Sequence, residues 1–129
     1  MENLEKIRQP EIKTEELLSL LDSIKWKHGY RFSFNGTEFY LNITETEKLR
    51  KAEAEGTLTR FGEPAEYFRS TYVRGFDIYL HDTIPAADRN RILFHEILEA
   101  NLRDQNFSQK EAHKLTLEAE KKTFGQRKN

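Results

Sequence analysis

One segment limits the possible folds more than any other: residues 91–102 read Arg-Ile-Leu-Phe-His-Glu-Ile-Leu-Glu-Ala-Asn-Leu. At about 100° per residue, its large apolar side chains cover most of the circumference of a helix; they are Ile92, Leu93, Phe94, Ile97, Leu98 and Leu102. A helix that is apolar on nearly every side belongs inside a fold. We therefore predict a central, buried helix over residues 87–104.

Strand patterns precede this helix. Residues 30–34 and 37–41 surround Asn35-Gly36, and such a pair between two strand-like runs is a strong signal for a tight β-hairpin. Residues 76–81 place Phe, Ile and Leu on one face of a further strand. We therefore predict a small sheet made of the hairpin 30–41 and the strand 76–81.

The segment 63–74 is ambiguous. Pro64 suits the first turn of a helix, whereas Ser70-Thr71-Tyr72-Val73 favours a strand. The charged run 45–55 pairs opposite charges four residues apart, which is typical of a solvated helix face.

Two further helices are predicted to pack on the sheet. The first spans residues 14–27, with Thr14 as its N-cap and Gly29 as the stop. The second spans 108–124 and begins with a capping-box pattern. The fold class is therefore α+β, in one domain over 14–125, with a flexible arm at 1–13 and a basic tail at 126–129.

Composition narrows the function classes. The chain has 129 residues, enough for one domain, and a formal net charge of −1. Balanced charge argues against a nucleic-acid partner, which needs basic residues collected on one face. No run approaches the ~20 apolar residues of a membrane span and no signal peptide is evident, so we expect a cytoplasmic protein. The lack of cysteine excludes disulfides and thiolate metal ligands.

The polar residues of the central helix carry the functional prediction. His95 and Glu99 are four residues apart, so both side chains can reach one metal ion from the same helical face. Glu96 points at a neighbouring angle, from which it could act as a base for water at that ion. His113 on the next helix is the natural third ligand, because a short turn near Asn106 lets the two helices pack antiparallel. Three further acids are alternative ligands: Glu111, Glu118 and Glu120.

A resemblance accompanies these residues. The stretches IYLHDTIP (78–85) and RNRILFHE (89–96) resemble the strand, turn and helix of small zincin peptidases of the ImmA/IrrE type. The resemblance implies a zinc-dependent hydrolase acting on peptides or proteins, with His95 as first ligand, Glu96 as general base and His113 as third ligand. Glu99 stands where that family has its second histidine, which departs from the family pattern.

Other interpretations stay open at this stage. The departure at Glu99 favours a second interpretation, a non-catalytic regulatory or interaction module on the same scaffold, of a phage-related kind. Without a metal, His95 and Glu99 form a local hydrogen-bonded pair. Two imidazoles and a carboxylate suit zinc, although iron, manganese and nickel share these ligands. Three tyrosines are candidates to stabilise an oxyanion, and the sequence selects none of them: Tyr67, Tyr72 and Tyr79.

Overall fold

The computed structural model describes residues 9–44 and 65–125. Over these ranges three helices accompany a four-stranded sheet. The helices are α1 (Thr14–Ser23), α2 (Ala86–Asp104) and α3 (Gln109–Phe124). The strands are β1 (Arg31–Phe34), β2 (Thr37–Thr44), β3 (Ala65–Arg69) and β4 (Gly75–His81). The predicted α+β class is confirmed, with an N-terminal helix and two C-terminal helices packed on the sheet.

The strands lie in the order β1-β2-β4-β3. β1 and β2 form the predicted antiparallel hairpin, and both turn residues take positive φ, 48° at Asn35 and 84° at Gly36. β2 pairs with β4 in parallel, and β3 pairs with β4 antiparallel as an edge strand. At Gly75 a Cβ atom would lie 1.9 Å from the carbonyl oxygen of Glu38, so only glycine lets β4 begin this close to β2.

One face of the sheet forms the core. Register places Phe39 beside Phe76 and Leu41 beside Ile78, and all four side chains are buried. Adjacent residues of a strand point to opposite faces, so the residues that alternate with these four point to the outer face of the sheet. The predicted central helix α2 is confirmed as buried over residues 97–102.

The turn between α2 and α3 reverses the chain, so that the two helices form an antiparallel hairpin. Asn106 adopts a left-handed φ of 73°, and the amides of Asn106 and Phe107 bond back to the carbonyls of Arg103 and Leu102. This is a Schellman motif, which closes a helix and reverses the chain. Ser108 then caps α3 through the predicted capping box with Glu111. The second helix therefore returns along the first.

The predictions were wrong at both ends of α1, and the structure resolves the segment that the sequence left ambiguous. α1 ends at Ser23 because Ile24 is extended, and its N-cap position is Lys13, with no side-chain cap. The strand of the ambiguous segment is 65–69. Ser70 leads into bends instead of a strand, because its hydroxyl accepts hydrogen bonds from the amides of Tyr72 and Val73.

Some predictions concern residues at the margins of the described ranges. Within the predicted arm, the backbone N–H of Glu11 donates to the side-chain Oε1 of Gln105, and Nε2 of Gln105 donates to the carbonyl of Glu11. Residues 1–8, the charged run 45–55 and the tail 126–129 lie outside the described residues. Among the helices that are described, none has both the length and the apolar character needed to cross a membrane.

Candidate metal site

The site begins on α2 with His95 and Glu99. One helical turn separates them, and Nε2 of His95 lies 3.1 Å from Oε1 of Glu99. Glu99 is buried and His95 is nearly so, because their face of α2 is covered by β3 and α3. The predicted pairing on one face of a buried helix is therefore confirmed.

His113 reaches the same carboxylate from α3. Its Nδ1 donates to Oε1 of Glu99 across 3.0 Å, and its ring centre lies 5.4 Å from that of His95. One ligand atom from each of His95, Glu99 and His113 lies within 4.8 Å of the other two. The imidazole of His113 is 52% exposed, so the cluster opens to solvent on this side.

Glu120, also on α3, holds the other nitrogen of His95. Its side chain is only 1% exposed, and its Oε1 accepts from Nδ1 of His95 across 2.9 Å. Nε of Arg91 donates to the second oxygen of Glu120, and Nη2 of Arg91 donates to the carbonyl of Gly125 across 2.9 Å. A carboxylate that fixes one nitrogen of a histidine leaves the other aimed at a metal, as in many metalloproteins.

Tyr67 completes the cluster from the edge strand β3. Its hydroxyl donates to Oε2 of Glu99 across 2.7 Å, so each oxygen of Glu99 has a partner. A cleft of about 280 Å³ opens beside this tyrosine; it is lined by Tyr67, Phe68, Arg69, Phe76 and Arg103. Of the three candidate tyrosines, Tyr67 is the one that touches the site.

Hydrogen bonding sets the charges of the cluster. Burial would raise the pKa of Glu99, but hydrogen bonds from His95, His113 and Tyr67 outweigh it and lower that pKa to about 2. Burial would likewise lower the pKa of His95, but its hydrogen bonds to Glu99 and Glu120 raise it to about 9. Burial and the neighbouring Glu99 raise the pKa of Tyr67 well above its ordinary value. At neutral pH the cluster therefore holds an imidazolium, a carboxylate and a neutral phenol donor.

The remaining candidates lie at the periphery. Glu96 is half-buried, and its charge contributes to the raised pKa of His95. Glu111 serves the cap of α3, and Glu118 lines a separate groove that α3 forms with α1. The geometry therefore selects Glu120 from the three alternative acids, as a partner of His95.

The donor set fits a divalent metal ion. Ligand atoms that share a tetrahedral zinc, each about 2.1 Å from it, lie about 3.4 Å apart. The two N···O separations of 3.1 and 3.0 Å therefore need to lengthen by a few tenths of an ångström, and the two imidazole nitrogens already lie within 4.8 Å of each other. His95, Glu99 and His113 could hold a metal ion without a change of fold.

The sequence analysis named Glu120 only as an alternative ligand and gave Arg91 no role in the site, although helical spacing contained a signal for both residues. Arg91 precedes His95 by four residues, and Glu120 follows His113 by seven, so each shares a helical face with a ligand. The sequence had no comparable signal for Tyr67, because β3 lies far from α2 along the chain.

Comparison with protein-family models, with curated proteins and with solved structures gives no match for this chain. We therefore infer the function of this chain from the geometry of the cluster itself.

Proposed function

We propose that the chain is a zincin-like metal-dependent hydrolase that binds zinc through His95, Glu99 and His113. One observation carries the proposal: the three ligand atoms converge within 4.8 Å while Glu120 holds the distal nitrogen of His95. Catalytic zinc sites combine three protein ligands with a carboxylate that holds the second nitrogen of a histidine ligand.

Zinc is the metal that the donors favour. Two imidazoles and one carboxylate form a common catalytic zinc set that leaves a coordination position open. When bound, such an ion supplies a Lewis acid that polarises a substrate carbonyl and makes water more acidic. The half-exposed ring of His113 leaves the solvent side accessible to a substrate.

Glu96 is proposed as the general base. It follows His95 directly on α2, in the position that the zincin resemblance assigns to this role. Its carboxylate would accept a proton from the attacking water as the C–O bond forms. The same proton would then pass to the leaving amine nitrogen as the C–N bond breaks, which leaves Glu96 unchanged after a turnover.

The substrate class is proposed to be a peptide or protein. The cleft is lined by residues 67–69 of the edge strand β3, and the Tyr67 hydroxyl in its wall donates to Glu99. The guanidinium of Arg103 favours a segment with an acidic side chain in that cleft, whereas that of Arg69 already pairs with Asp104 across 3.5 Å.

Metal content is the first test. Protein prepared without chelator or histidine tag should retain about one equivalent of zinc by elemental analysis. The variants Glu99→Ala and His113→Ala should lose it, whereas Lys114→Ala, which changes the exposed neighbour of His113 on α3, should retain it. Equal metal content in all four proteins would contradict the ligand assignment.

Turnover is the second test. Zinc-loaded protein should cleave members of a fluorogenic peptide library, and Glu96→Gln should abolish cleavage while retaining zinc. Glu15→Gln, at an exposed position of α1, is the matched control. Cleavage that survives in Glu96→Gln would remove Glu96 from the mechanism.

A second function has its own supporting observation. His95, His113 and Tyr67 all hydrogen-bond to Glu99, which stands where zincins have a histidine. Such a network favours a non-catalytic regulatory or interaction module, with or without a structural metal. Retained zinc together with no cleavage of any library member would favour this second function.

A further inference from the structure

The outer face of the sheet, which points away from α2, carries a second unusual group of side chains. Asp77 on β4 lies directly beside Tyr40 on β2 and beside Phe68 on β3. Side chains opposite each other on neighbouring strands stand about 5 Å apart at their Cβ atoms. Asp77 therefore sits at the centre of this face, between two aromatic rings.

The carboxylate of Asp77 is buried and incompletely paired. The residue is 4% exposed, and Oδ1 meets no hydrogen-bond donor within the parts of the chain that are described. A buried acceptor without a donor costs free energy that folding must offset elsewhere. A bound group that donates a hydrogen bond to Oδ1 would satisfy this acceptor.

Aromatic rings surround this carboxylate. Tyr72 stacks on Tyr40 with ring centres 4.7 Å apart, and Tyr79 meets Phe68 edge-on at 5.6 Å. Burial and the charge of Asp77 raise the pKa of the Tyr79 phenol, and Tyr79 lies two residues along β4 from Asp77 on the same face of the sheet. Phe68 and Tyr72 are among the exposed large side chains, whereas Oδ1 of Asp77 is itself buried, so a ligand reaches that oxygen only when the rings move apart.

Charge complementarity identifies the occupant. Aromatic faces attract cations within about 6 Å, and a carboxylate next to them adds a full opposite charge. The guanidinium of Arg31 already lies 5.7 Å from the ring centre of Tyr40. Because Oδ1 of Asp77 needs a donor, the cation must carry an N–H group, which a quaternary ammonium lacks.

We propose that Asp77, with the rings of Tyr40, Phe68, Tyr72 and Tyr79, forms a binding site for the ammonium group of a lysine side chain presented by a partner polypeptide. The ammonium donates to Oδ1 of Asp77, and the rings contact its charge and its methylene stem. The exposed rings of Phe68 and Tyr72 flank the entrance and contact the adjoining backbone of the partner. This surface is on the opposite side of the sheet from His95, so the proposal is independent of metal binding.

In the test, the whole chain is titrated with a short peptide, acetyl-Gly-Lys-Gly-amide, and the tyrosine ring resonances are monitored by NMR. We expect saturable shifts at Tyr40 and Tyr79 with a dissociation constant on the order of 1 mM. The norleucine peptide, which has no charge, should not bind. The trimethyllysine peptide should bind several-fold more weakly, because it cannot donate to Oδ1. Equal binding of either control peptide, or no saturable shift with lysine, overturns the proposal.

Free n-butylammonium separates a presented lysine from a soluble amine. It should bind more weakly than the lysine peptide, because it lacks the backbone that contacts Phe68 and Tyr72. Binding as tight as that of the peptide would overturn the role of a partner polypeptide.

Two variants locate the site. Asp77→Asn should weaken binding at least about tenfold, whereas Asp22→Asn, an exposed acid on α1, should leave it unchanged. Tyr72→Ala should weaken binding several-fold without affecting folding, because Tyr72 is 57% exposed. If Asp77→Asn fails to fold, Tyr72→Ala decides the question, and unchanged affinity in that variant overturns the proposal.

Discussion

Oε1 of Glu120 accepts a hydrogen bond from Nδ1 of His95 across 2.9 Å, so a residue of α3 fixes the ring of a residue of α2. With Nδ1 engaged, Nε2 is turned towards Glu99. Arg91 bonds to the second oxygen of Glu120, which keeps this buried carboxylate paired. Glu120 is therefore a positioning residue of the proposed metal site.

The first prediction concerns Glu120→Gln. The amide keeps the size of the side chain but is a weaker acceptor, so His95 loses its orientation and part of its basicity. We expect zinc affinity to fall about 10- to 100-fold, measured by competition with a chromophoric chelator. Glu118→Gln, an exposed position of the same helix, is the control and should bind as the parent does. Equal affinities for the two variants would show that Glu120 has no role in metal binding.

The second prediction concerns Tyr67→Phe. This change removes the hydroxyl that donates to Oε2 of Glu99 and leaves the ring in place. The free energy of unfolding should fall by about 1 kcal/mol, measured by urea denaturation in the presence of chelator. Tyr72→Phe changes an exposed ring and should cost much less. The hydrogen bond is energetically unimportant if both variants unfold at the same urea concentration.

The third prediction is the pH dependence of stability in chelator. The pKa of His95 is raised to about 9, above its ordinary 6.5, so its contribution is complete below about pH 6.5 and is lost as the pH rises through 9. The pKa of Glu99 is lowered to about 2 from 4.5, so its contribution is present above 4.5 and is lost as the pH falls towards 2. Melting temperatures should therefore be highest between about pH 4.5 and pH 6.5, where both contributions are complete. Glu99→Gln should reduce the change of melting temperature with pH on both the acidic and the basic side. If the substitution leaves that pH dependence unchanged, the interaction between His95 and Glu99 does not contribute to stability.

The fourth prediction concerns protons released on metal binding. At pH 7 His95 is protonated, so Nε2 must lose its proton before it can bind a metal, while Nδ1 stays bonded to Glu120. Because one proton is released from His95, zinc affinity should increase about tenfold for each unit by which the pH is raised, up to about pH 9. Calorimetry in buffers of different ionisation enthalpy should detect the release of at least one proton per ion. A binding enthalpy that is the same in all buffers would contradict the release of a proton from His95.

Much of the fold could be predicted because the signals were local. Asn35-Gly36 specified the hairpin, Ser108 with Glu111 specified the start of α3, and the all-round apolar pattern specified α2 as central. The predictions failed where local preference was weak. The bends after Ser70 follow from side-chain hydrogen bonds to the backbone, which strand propensity does not include.

The candidate site likewise has some features that local sequence predicts and others that depend on tertiary packing. The sequence by itself determined that His95 and Glu99 share a helical face, because a helix repeats every 3.6 residues. It also indicated that a short turn would return His113 to them. Only the tertiary structure decided that Glu120 fixes His95, that Tyr67 bonds to Glu99, and that Asp77 lies among tyrosines on the other face of the sheet. These contacts join residues far apart in the chain, so their formation depends on how the strands and helices pack together.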